Sequence, residues 1–359
     1  MNSKNILHVT KKFESDVYGG IESVVDSLCK NLKKKNIKSS VYTIMNIKVK
    51  KRNYNIFSSK KNFEVFSTPF SISAFYDFYK ISKNYDLIIF HFPWPFMDIL
   101  SLLIPKKKIF IFYHADIINK NILYFFYLPL KKYFFSRSKK IICTSKNLLK
   151  TSTFLKSYRH KTVILPIGIN KKKPSALSKN FSILKKKKYF IFVGNLRDYK
   201  GIFFLIEIFK KINDANLLIL GDGKDRIKLI KHIKNLKNVY YYSKFSESEK
   251  ISCIKNSKAL ILPSLDRREA FGIVLLEAAS LKVPMLSTKL GTGTTFINKH
   301  NITGFTFDPD NQSDITKYIK LLNKKSSLSS KMGNNAYLRF NRYFKLDKMI
   351  NKFNQIISD

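Results

Sequence analysis

Short apolar runs rich in β-branched and aromatic residues alternate with longer amphipathic stretches along most of this 359-residue chain. Continuous apolar runs are typical of parallel strands buried on both faces, and the intervening stretches have the apolar spacing of helices. The alternation therefore predicts an α/β fold with doubly wound parallel sheets. The predicted strands cover residues 5–10, 39–44, 86–91, 108–114, 139–145 and 162–166, and then residues 189–194, 216–221, 239–243, 259–264, 283–288 and 304–307.

The segment KKKPSALSKN, at residues 171–180, separates two series of predicted strands. A chain of this length is also too long for one ordinary hydrophobic core. We therefore expect one Rossmann-like domain over residues 1–170, a linker over 171–180 and a second Rossmann-like domain over 181–336, with a helical tail over 337–359. Ligands of such sheets bind beyond the carboxyl ends of the strands, so the site residues should follow the predicted strands.

The chain has 67 basic and 24 acidic residues, a formal net charge of +43. Lysine is spread along the whole chain, which favours a general compositional bias over a nucleic-acid footprint, because such a footprint clusters on one face. An anionic membrane surface is the alternative. Cys29, Cys143 and Cys253 form no C-x-x-C motif, and we find neither a signal peptide nor a run of about 18 apolar residues. These features indicate a cytoplasmic protein, either soluble or peripheral on a membrane.

Candidate site residues follow several strands of the first series. Gly19 and Gly20 open a predicted helix, where backbone amides suit either a phosphate or a plain tight turn. His91 and His114 end apolar strands, as a catalytic or a structural histidine would. Asp116 is suited either to capping a helix or to binding a ligand.

In the second series, Arg197 and Lys200 lie in a strand-to-helix turn, where they either neutralise a diphosphate or face solvent. The sequence GDGKDR (221–226) lacks the G-x-G-x-x-G fingerprint because residue 226 is arginine, which argues against a dinucleotide oxidoreductase. The sequence DPD (308–310) has the form of a metal-binding D-x-D, but its proline favours a turn. We therefore expect no metal and no cofactor.

The sequence LDRREAFGIVLLEAAS (265–280) contains two carboxylates eight residues apart, Glu269 and Glu277. Eight helical residues span about 12 Å, which suits one carboxylate near a sugar and the other near a ribose. Gly272 permits close backbone approach, and the following helix offers free amides. Glu269 is expected to be exposed in a cleft, so Glu269→Ala should abolish turnover without harming the fold.

The run REAFGIVLLEAAS resembles the E-x7-E motif of retaining GT-B glycosyltransferases of family 4, group 1. The resemblance extends over most of the chain and includes bacterial mannosyl- and rhamnosyltransferases of lipopolysaccharide or exopolysaccharide synthesis. It is also carried by GGIESVV, HAD, VGNLRDYKG, LGDG and TGFTFDPDN, which occur in the family's order. It implies two Rossmann-like domains facing a cleft, with a nucleotide-sugar donor held mainly by the C-terminal one and no metal. It also implies that a single last helix, over residues 337–359, crosses back to the N-terminal domain.

Carried over by position, the resemblance implies a role for each site residue. Glu269 would bind donor-sugar hydroxyls, Glu277 the ribose, and His114 would lie beside the sugar at the reacting centre. Lys200 and Arg197 would neutralise the diphosphate, Arg197 standing in for a family arginine that is Asn195 here. The remaining contacts with the diphosphate would come from backbone groups of Gly19, Gly20, Phe271, Gly272 and Ile273.

The sequences HADI and LGTGTTFIN resemble the branch that uses GDP-linked donors, so GDP-mannose is the expected donor, with UDP-glucose and UDP-N-acetylglucosamine as alternatives. The acceptor would be a glycan or a polyprenyl-diphosphate-linked glycan. Residues 121–135, NILYFFYLPLKKYFF, mix aromatic and basic residues and suit either an anionic membrane surface or a core helix. Two other classes remain open, a sugar-nucleotide epimerase on the same scaffold and a basic nucleic-acid-binding protein, but no nucleic-acid reader motif is present.

Overall fold

The structure is a computed structural model that describes residues 4–13, 19–46, 52–65, 68–118, 122–178, 181, 187–309 and 311–358. The chain divides into two compact units. The first comprises Met1–Ile167 together with Asp347–Asp359, and the second comprises Gly168–Leu346. Each unit has helices connecting the strands of a parallel sheet, which confirms the predicted α/β class.

The first unit contains strands β1 (Asn5–Val9), β2 (Lys38–Ile44), β3 (Ile56–Ser59), β4 (Phe63–Val65), β5 (Thr68–Phe70), β6 (Leu87–Phe92), β7 (Ile109–Tyr113), β8 (Lys140–Cys143) and β9 (Thr162–Ile164). Its helices before the second unit are α1 (Gly20–Leu32), α2 (Ser73–Ser82), α3 (Pro95–Leu100), α4 (Ile122–Arg137), α5 (Lys146–Thr151) and α6 (Thr153–Lys156). The parallel sheet has the order β3-β2-β1-β6-β7-β8-β9. Strands β6 and β7 are buried along their whole length, as their continuous apolar sequences predict.

Three strands of this unit are absent from the predicted series. Strand β3 is a parallel edge strand beside β2, and β4 and β5 form a separate antiparallel pair. Their sequences, IFSS, FEV and TPF, are short, and all three residues of β4 are exposed. Segments with so few buried apolar residues carry no periodic signal in the sequence.

The second unit contains strands β10 (Tyr189–Val193), β11 (Asn216–Leu220), β12 (Val239–Tyr242), β13 (Leu260–Leu262), β14 (Met285–Thr288) and β15 (Gly304–Phe307). Its helices are α7 (Ile202–Lys210), α8 (Arg226–Ile233), α9 (Glu247–Lys255), α10 (Ile273–Ser280), α11 (Gly293–Ile297), α12 (Gln312–Lys324) and α13 (Ser326–Tyr343). The sheet is parallel throughout, with the order β12-β11-β10-β13-β14-β15.

The predicted helical tail is interrupted near Phe344. Helix α13 ends at Tyr343, and a separate helix, α14, spans Leu346–Ser358. The backbone of Ile169 causes the break, because it donates to the Phe344 carbonyl at 2.9 Å and accepts from the Leu346 amide at 3.0 Å. These bonds replace helical ones, so a single helix over residues 337–359 was a wrong expectation.

The unit boundaries also differ from the predicted domain boundaries. Residues 171–178 belong to the second unit, where Ser175 bonds through its amide to the Ser252 hydroxyl at 3.1 Å and through its hydroxyl to that of Ser248 at 2.8 Å. Helix α14 belongs to the first unit, where Phe353 stacks against His8. Ser175 and Ser178 of the segment predicted as a linker are therefore attached to helix α9, Ser178 through its hydroxyl to Glu249 at 2.6 Å.

In both sheets the strand order reverses beside the first strand of the unit. The reversal lies between β1 and β6 in the first unit and between β10 and β13 in the second. Loops on either side of such a reversal diverge and leave a crevice at the carboxyl ends of the strands. Most candidate site residues lie in or next to the loops that follow β1, β7, β10 and β13, whereas His91 lies in β6 and Glu277 lies in α10.

Candidate functional site

In the second unit, two loops meet at the strand-order reversal, one after β10 and one after β13. The Leu265 amide donates to the Tyr199 carbonyl at 2.7 Å. Arg268 pairs with Asp198 at 3.2 Å and with Asp266 at 2.6 Å, and its guanidinium lies 4.7 Å from the Tyr199 ring centre. These contacts hold the Arg197–Lys200 turn against the loop that carries Glu269.

Glu269 lies at the centre of these loops. Its Oε2 accepts hydrogen bonds from Lys200 Nζ at 2.5 Å and from the Ser264 hydroxyl at 2.9 Å. Its carbonyl accepts from the Thr292 hydroxyl at 2.8 Å, so the loop after β14 fixes the backbone as well. The structure therefore brings Glu269 and Lys200 together, although 69 residues separate them in the chain.

The Lys200–Glu269 pair is largely shielded from solvent. Only 7% of Glu269 is exposed, so the expectation of an exposed carboxylate is wrong, whereas the effect of Glu269→Ala on folding stays a prediction. Burial by itself lowers the pKa of Lys200, but the charge of Glu269, the Tyr199 side chain and the hydrogen bond to Glu269 together outweigh it, so the pKa is raised above its ordinary value. The ammonium group therefore stays charged, and its removal would leave a buried carboxylate without a counter-charge.

Helix α10 begins beside this pair. Gly272, its N-cap residue, has φ +78° and supplies no side-chain cap. The amides of Phe271, Gly272 and Ile273 donate to no backbone or side-chain acceptor among the described residues. A helix start with free amides favours an anion, as the resemblance implies for these residues.

Glu277 lies in α10 and is 7% exposed. Its Oε1 lies 2.9 Å from Lys250 Nζ and 3.9 Å from Lys172 Nζ. Both lysines also pair with Glu247, each at 2.7 Å, so two carboxylates and two ammonium groups alternate. Burial lowers the pKa of Lys250, but the charges of Glu277 and Glu247 and the hydrogen bonds to them together outweigh it, so the pKa is raised.

Arg197 is exposed and forms no ion pair with any residue in the described ranges. Its charge is close enough to lower the pKa of Lys200 slightly, after the larger effects of burial, Glu269 and Tyr199. Asn195 is exposed as well, and its Oδ1 faces Gly223 in the loop after β11. Asn195 and Arg197 lie in the loop that follows β10, as Lys200 does.

In the first unit, Gly19 and Gly20 lie at the start of α1 and are exposed, while Tyr18 is outside the described residues. Gly19 is the N-cap residue and offers no side chain. The Glu22 carboxylate folds back over Gly19, into the space that a Cβ would need. This helix start therefore has a carboxylate of its own chain beside it.

His114 follows β7 and is 5% exposed. Its Nε2 lies 2.9 Å from Nδ1 of His91, and Nε2 of His91 lies 3.0 Å from Nδ1 of His8. Asp116 lies two residues further along the chain. Its Oδ1 accepts from the Tyr113 hydroxyl at 2.6 Å and from the Ser152 hydroxyl at 2.5 Å.

Several partners of the site residues were not predicted from the sequence. Ser264, Lys250 and Lys172 contact the two glutamates, and His8 extends the pair of histidines. The position of Ser264 at the end of a predicted strand was an available signal, whereas Lys172 and Lys250 are two lysines among many. Among the residues that the structure describes, no three or more His, Cys, Asp or Glu side chains form a metal-binding group. Of the D-x-D candidate, Asp308 lies 3.4 Å from Lys289, and Asp310 is outside the described residues.

Two parallel α/β units of this kind, each with its site residues at a strand-order reversal, define the GT-B class. The chain belongs to the glycosyltransferases of group 1 and family 4. Residues 175–339 match the family Glycosyl transferases group 1, and residues 18–173 match Glycosyltransferase Family 4. The protein is thus a glycosyltransferase.

Two relatives match almost the whole chain. O-antigen chain mannosyltransferase C of Escherichia coli is 31% identical over 358 residues, covering 97% of this chain and 96% of the relative. D-rhamnosyltransferase WbpZ of Pseudomonas aeruginosa is 30% identical over 350 residues, covering 94% of this chain and 92% of the relative.

Solved structures share the fold at lower identity. Sucrose-phosphate synthase from Thermosynechococcus elongatus has a TM-score of 0.80 at 15% identity, over 99% of this chain and 98% of that one. Anabaena HepE in complex with UDP and glucose has a TM-score of 0.79 at 17% identity, over 99% of both chains. At these identities the likeness shows the GT-B fold alone.

Proposed function

We propose that this glycosyltransferase transfers mannose, or a closely related hexose, from a GDP-linked donor with retention of anomeric configuration. GDP-mannose is the first candidate, and the acceptor is a glycan or a polyprenyl-diphosphate-linked glycan of O-antigen synthesis. The names of the two full-length relatives support this choice, since D-rhamnose is 6-deoxymannose. The observation that carries the proposal is the Lys200–Glu269 pair at the strand-order reversal.

The pair can bind both halves of a nucleotide sugar. The Glu269 carboxylate has lone pairs beyond those used by Lys200 and Ser264, and these accept hydrogen bonds from sugar hydroxyls. The Lys200 ammonium has three donors, so it keeps Glu269 while it contacts the diphosphate. The free amides of Gly272 and Ile273 add donors to the same diphosphate.

The proposed reaction needs no protein nucleophile. The bond between the anomeric carbon and the diphosphate oxygen breaks, and the acceptor hydroxyl forms its bond on the same face of the sugar. The hydroxyl proton passes to an oxygen of the departing diphosphate, which leaves as GDP. Lys200 and Arg197 stabilise the negative charge that grows on the diphosphate, which is the work a metal does in other transferases.

Glu277 is proposed to bind the ribose. Its carboxylate is buried and is paired with Lys250 and Lys172, so it is held in one place before the donor arrives. Ribose hydroxyls would donate to the remaining lone pairs of this carboxylate. The Lys172 contact is the longer of the two, at 3.9 Å, and is the one that a ribose would displace.

Helix α4 is proposed to contact the membrane that carries a lipid-linked acceptor. Its first two turns expose Ile122, Leu123, Phe125 and Phe126, with Phe125 and Phe126 each 72% exposed. The second half of the helix is different, because Phe134, Phe135 and Lys131 are buried. No helix in the described part of the chain has the length and hydropathy needed to cross a bilayer, so contact would be made from one side.

The test is transfer of radiolabel from GDP-mannose, UDP-glucose and UDP-N-acetylglucosamine to lipid-extracted acceptors. GDP-mannose should give labelled product, with an α-linkage by NMR because the donor is α-linked. If only a UDP-sugar gave a labelled product, that UDP-sugar would be the donor and the assignment of GDP-mannose would be wrong. Conversion of the sugar nucleotide to an epimer without acceptor would replace transfer with isomerisation.

A further inference from the structure

Three histidines lie in a diagonal row across the first sheet. His8 on β1 is level with Ile89 on β6, two residues before His91. His91 is in turn level with Phe112 on β7, two residues before His114. Side chains two residues apart share one face of a strand, so the row advances two residues per strand towards the carboxyl edge of the sheet.

Two hydrogen bonds join the row. One links Nδ1 of His8 to Nε2 of His91 at 3.0 Å, and the other links Nδ1 of His91 to Nε2 of His114 at 2.9 Å. Burial lowers the pKa of His8 and of His114 to about 3 and that of His91 well below its ordinary value, so all three rings are neutral at neutral pH. A neutral imidazole has one N–H, so the row has only two arrangements, all Nδ1–H or all Nε2–H.

The inner end of the row distinguishes the two arrangements. Nε2 of His8 is buried and has no partner in the described part of the chain. The Phe353 ring is nearly parallel to the His8 ring, at 24° with centroids 6.3 Å apart. An N–H in the plane of the His8 ring therefore cannot point at the face of Phe353. A proton on this nitrogen would be a buried donor without an acceptor among the described residues, and unpaired buried N–H groups are rarer in proteins than under-satisfied acceptors.

We infer that His8 and His91 are positioning residues that hold His114 as its Nδ1–H tautomer, so that His114 donates a hydrogen bond to a substrate oxygen. In this arrangement Nε2 of His114 already accepts from His91, so no ring nitrogen is free to take a proton. His114 is then a fixed donor for a sugar hydroxyl or a diphosphate oxygen and not a general base. The nature of that oxygen rests on the proposed function, whereas the tautomer does not.

The tautomer can be read directly from the full-length protein labelled with ¹⁵N-histidine. Long-range ¹H–¹⁵N spectra at pH 7.5 distinguish a protonated ring nitrogen from an unprotonated one, and the chain has six histidines. His114→Asn and His91→Gln assign the resonances. We expect a protonated Nδ1 and an unprotonated Nε2 in His8, His91 and His114. A protonated Nε2 in His114, or averaging between its two tautomers, would overturn the inference.

A pair of variants separates positioning from packing. In His91→Gln the amide oxygen can accept from His8 and the amide nitrogen can donate to His114, whereas in His91→Leu both bonds are lost. The Nε2 resonance of His114 should keep its hydrogen-bonded position in the glutamine variant and move towards that of a free nitrogen in the leucine variant. Transfer at saturating donor should fall about tenfold or more in His91→Leu and be largely retained in His91→Gln, since one lost hydrogen bond is worth about that factor.

The two proposals fail in different ways. If His114 carries the Nδ1 proton and no nucleotide sugar is turned over, the proposed function fails and the tautomer assignment stands. If transfer occurs but His91→Leu and His91→Gln are equally impaired while both remain folded, positioning through hydrogen bonds is refuted.

Discussion

The ammonium of Lys200 lies 2.5 Å from the carboxylate of Glu269, and each reaches this point from a loop that follows one of two neighbouring strands, β10 and β13. The side chains are 15% and 9% exposed. Each is the other's main charge partner, with Ser264 as the further hydrogen-bond donor to the carboxylate. The Lys200–Glu269 pair therefore holds the two loops together and is also the proposed binding site for the donor.

Removing one charge of this pair should affect both activity and stability. Lys200→Met should lower transfer by about 10²–10³-fold, because a preorganised donor to the leaving group is lost. It should also cost about 3–5 kcal/mol of unfolding free energy, because Glu269 remains buried without a counter-charge. The measurements are initial rates with GDP-mannose and urea unfolding.

The double variant Lys200→Met/Glu269→Gln separates the two effects. It should recover much of the lost stability, since no uncompensated charge remains, but none of the activity. Lys210→Met is the matched control, because Lys210 pairs with Glu207 on the surface. Its loss should leave the transfer rate and the unfolding free energy near those of wild type. If Lys200→Met transferred sugar at the wild-type rate, the proposed role of Lys200 in donor binding would be wrong.

Gly201 should be intolerant of substitution because of its backbone. It has φ +69°, and a Cβ would overlap the carbonyl oxygen of Pro263 in the neighbouring loop. Gly201→Ala should therefore destabilise the protein by more than about 1 kcal/mol and displace Lys200, lowering transfer. Gly194→Ala is the control, since its Cβ would lie 3.5 Å from Phe192, an ordinary contact. Equal thermal midpoints for the two variants would contradict this reading.

The buried histidines should make stability fall as the pH is lowered below neutrality. In the unfolded chain these imidazoles take up protons below about pH 6.5, whereas His8 and His114 in the folded chain do so only near pH 3. The unfolded state thus binds more protons over this window, and stability declines from about pH 6.5 towards pH 3.

His114→Asn should reduce this decline by about 1 kcal/mol per pH unit between pH 6 and pH 5, when compared with wild type by urea unfolding. His160→Asn is the control, because His160 lies in the same unit and is exposed. An unchanged slope in His114→Asn would mean that His114 has the same pKa in the folded and the unfolded protein, which would contradict the prediction.

The exposed phenylalanines of α4 should contribute to membrane binding. Phe125→Ser/Phe126→Ser should weaken co-sedimentation with vesicles containing phosphatidylglycerol by about tenfold or more, because burial of each ring contributes about 1.5–3 kcal/mol. Leu338→Ser, which replaces a residue 65% exposed in the second unit, should leave binding unchanged. Equal binding by all three proteins would exclude this part of α4 as the contact.

The buried strands were predictable because each is a continuous apolar run, as in LIIFHF of β6 and IFIFY of β7. Strands β3, β4 and β5 were not, since they lie at an edge or outside the main sheet and bury few residues. The break between α13 and α14 depends on Ile169, which is far away in sequence, so no local pattern signals it.

At the site, the sequence motif indicated Glu269 and Glu277 but not their neighbours. That Lys200 meets Glu269 depends on β10 lying beside β13, and strand order is not encoded in local periodicity. The link from His8 to His91 likewise depends on the register of β1 against β6. His8 lies inside a strand, where a histidine gives no sign of facing a functional residue.

Helix α14 has a consequence for the order in which the protein assembles on the ribosome. Its Phe353 covers His8, and Lys4 and Lys140 bond to the carbonyls of Ile357 and Ile356 at its end. All of the second unit is translated between Ile164, where the first sheet ends, and this helix. The unit that emerges first is therefore the last to be completed, and until α14 is synthesised the surface around His8 lacks the Phe353 ring that covers it.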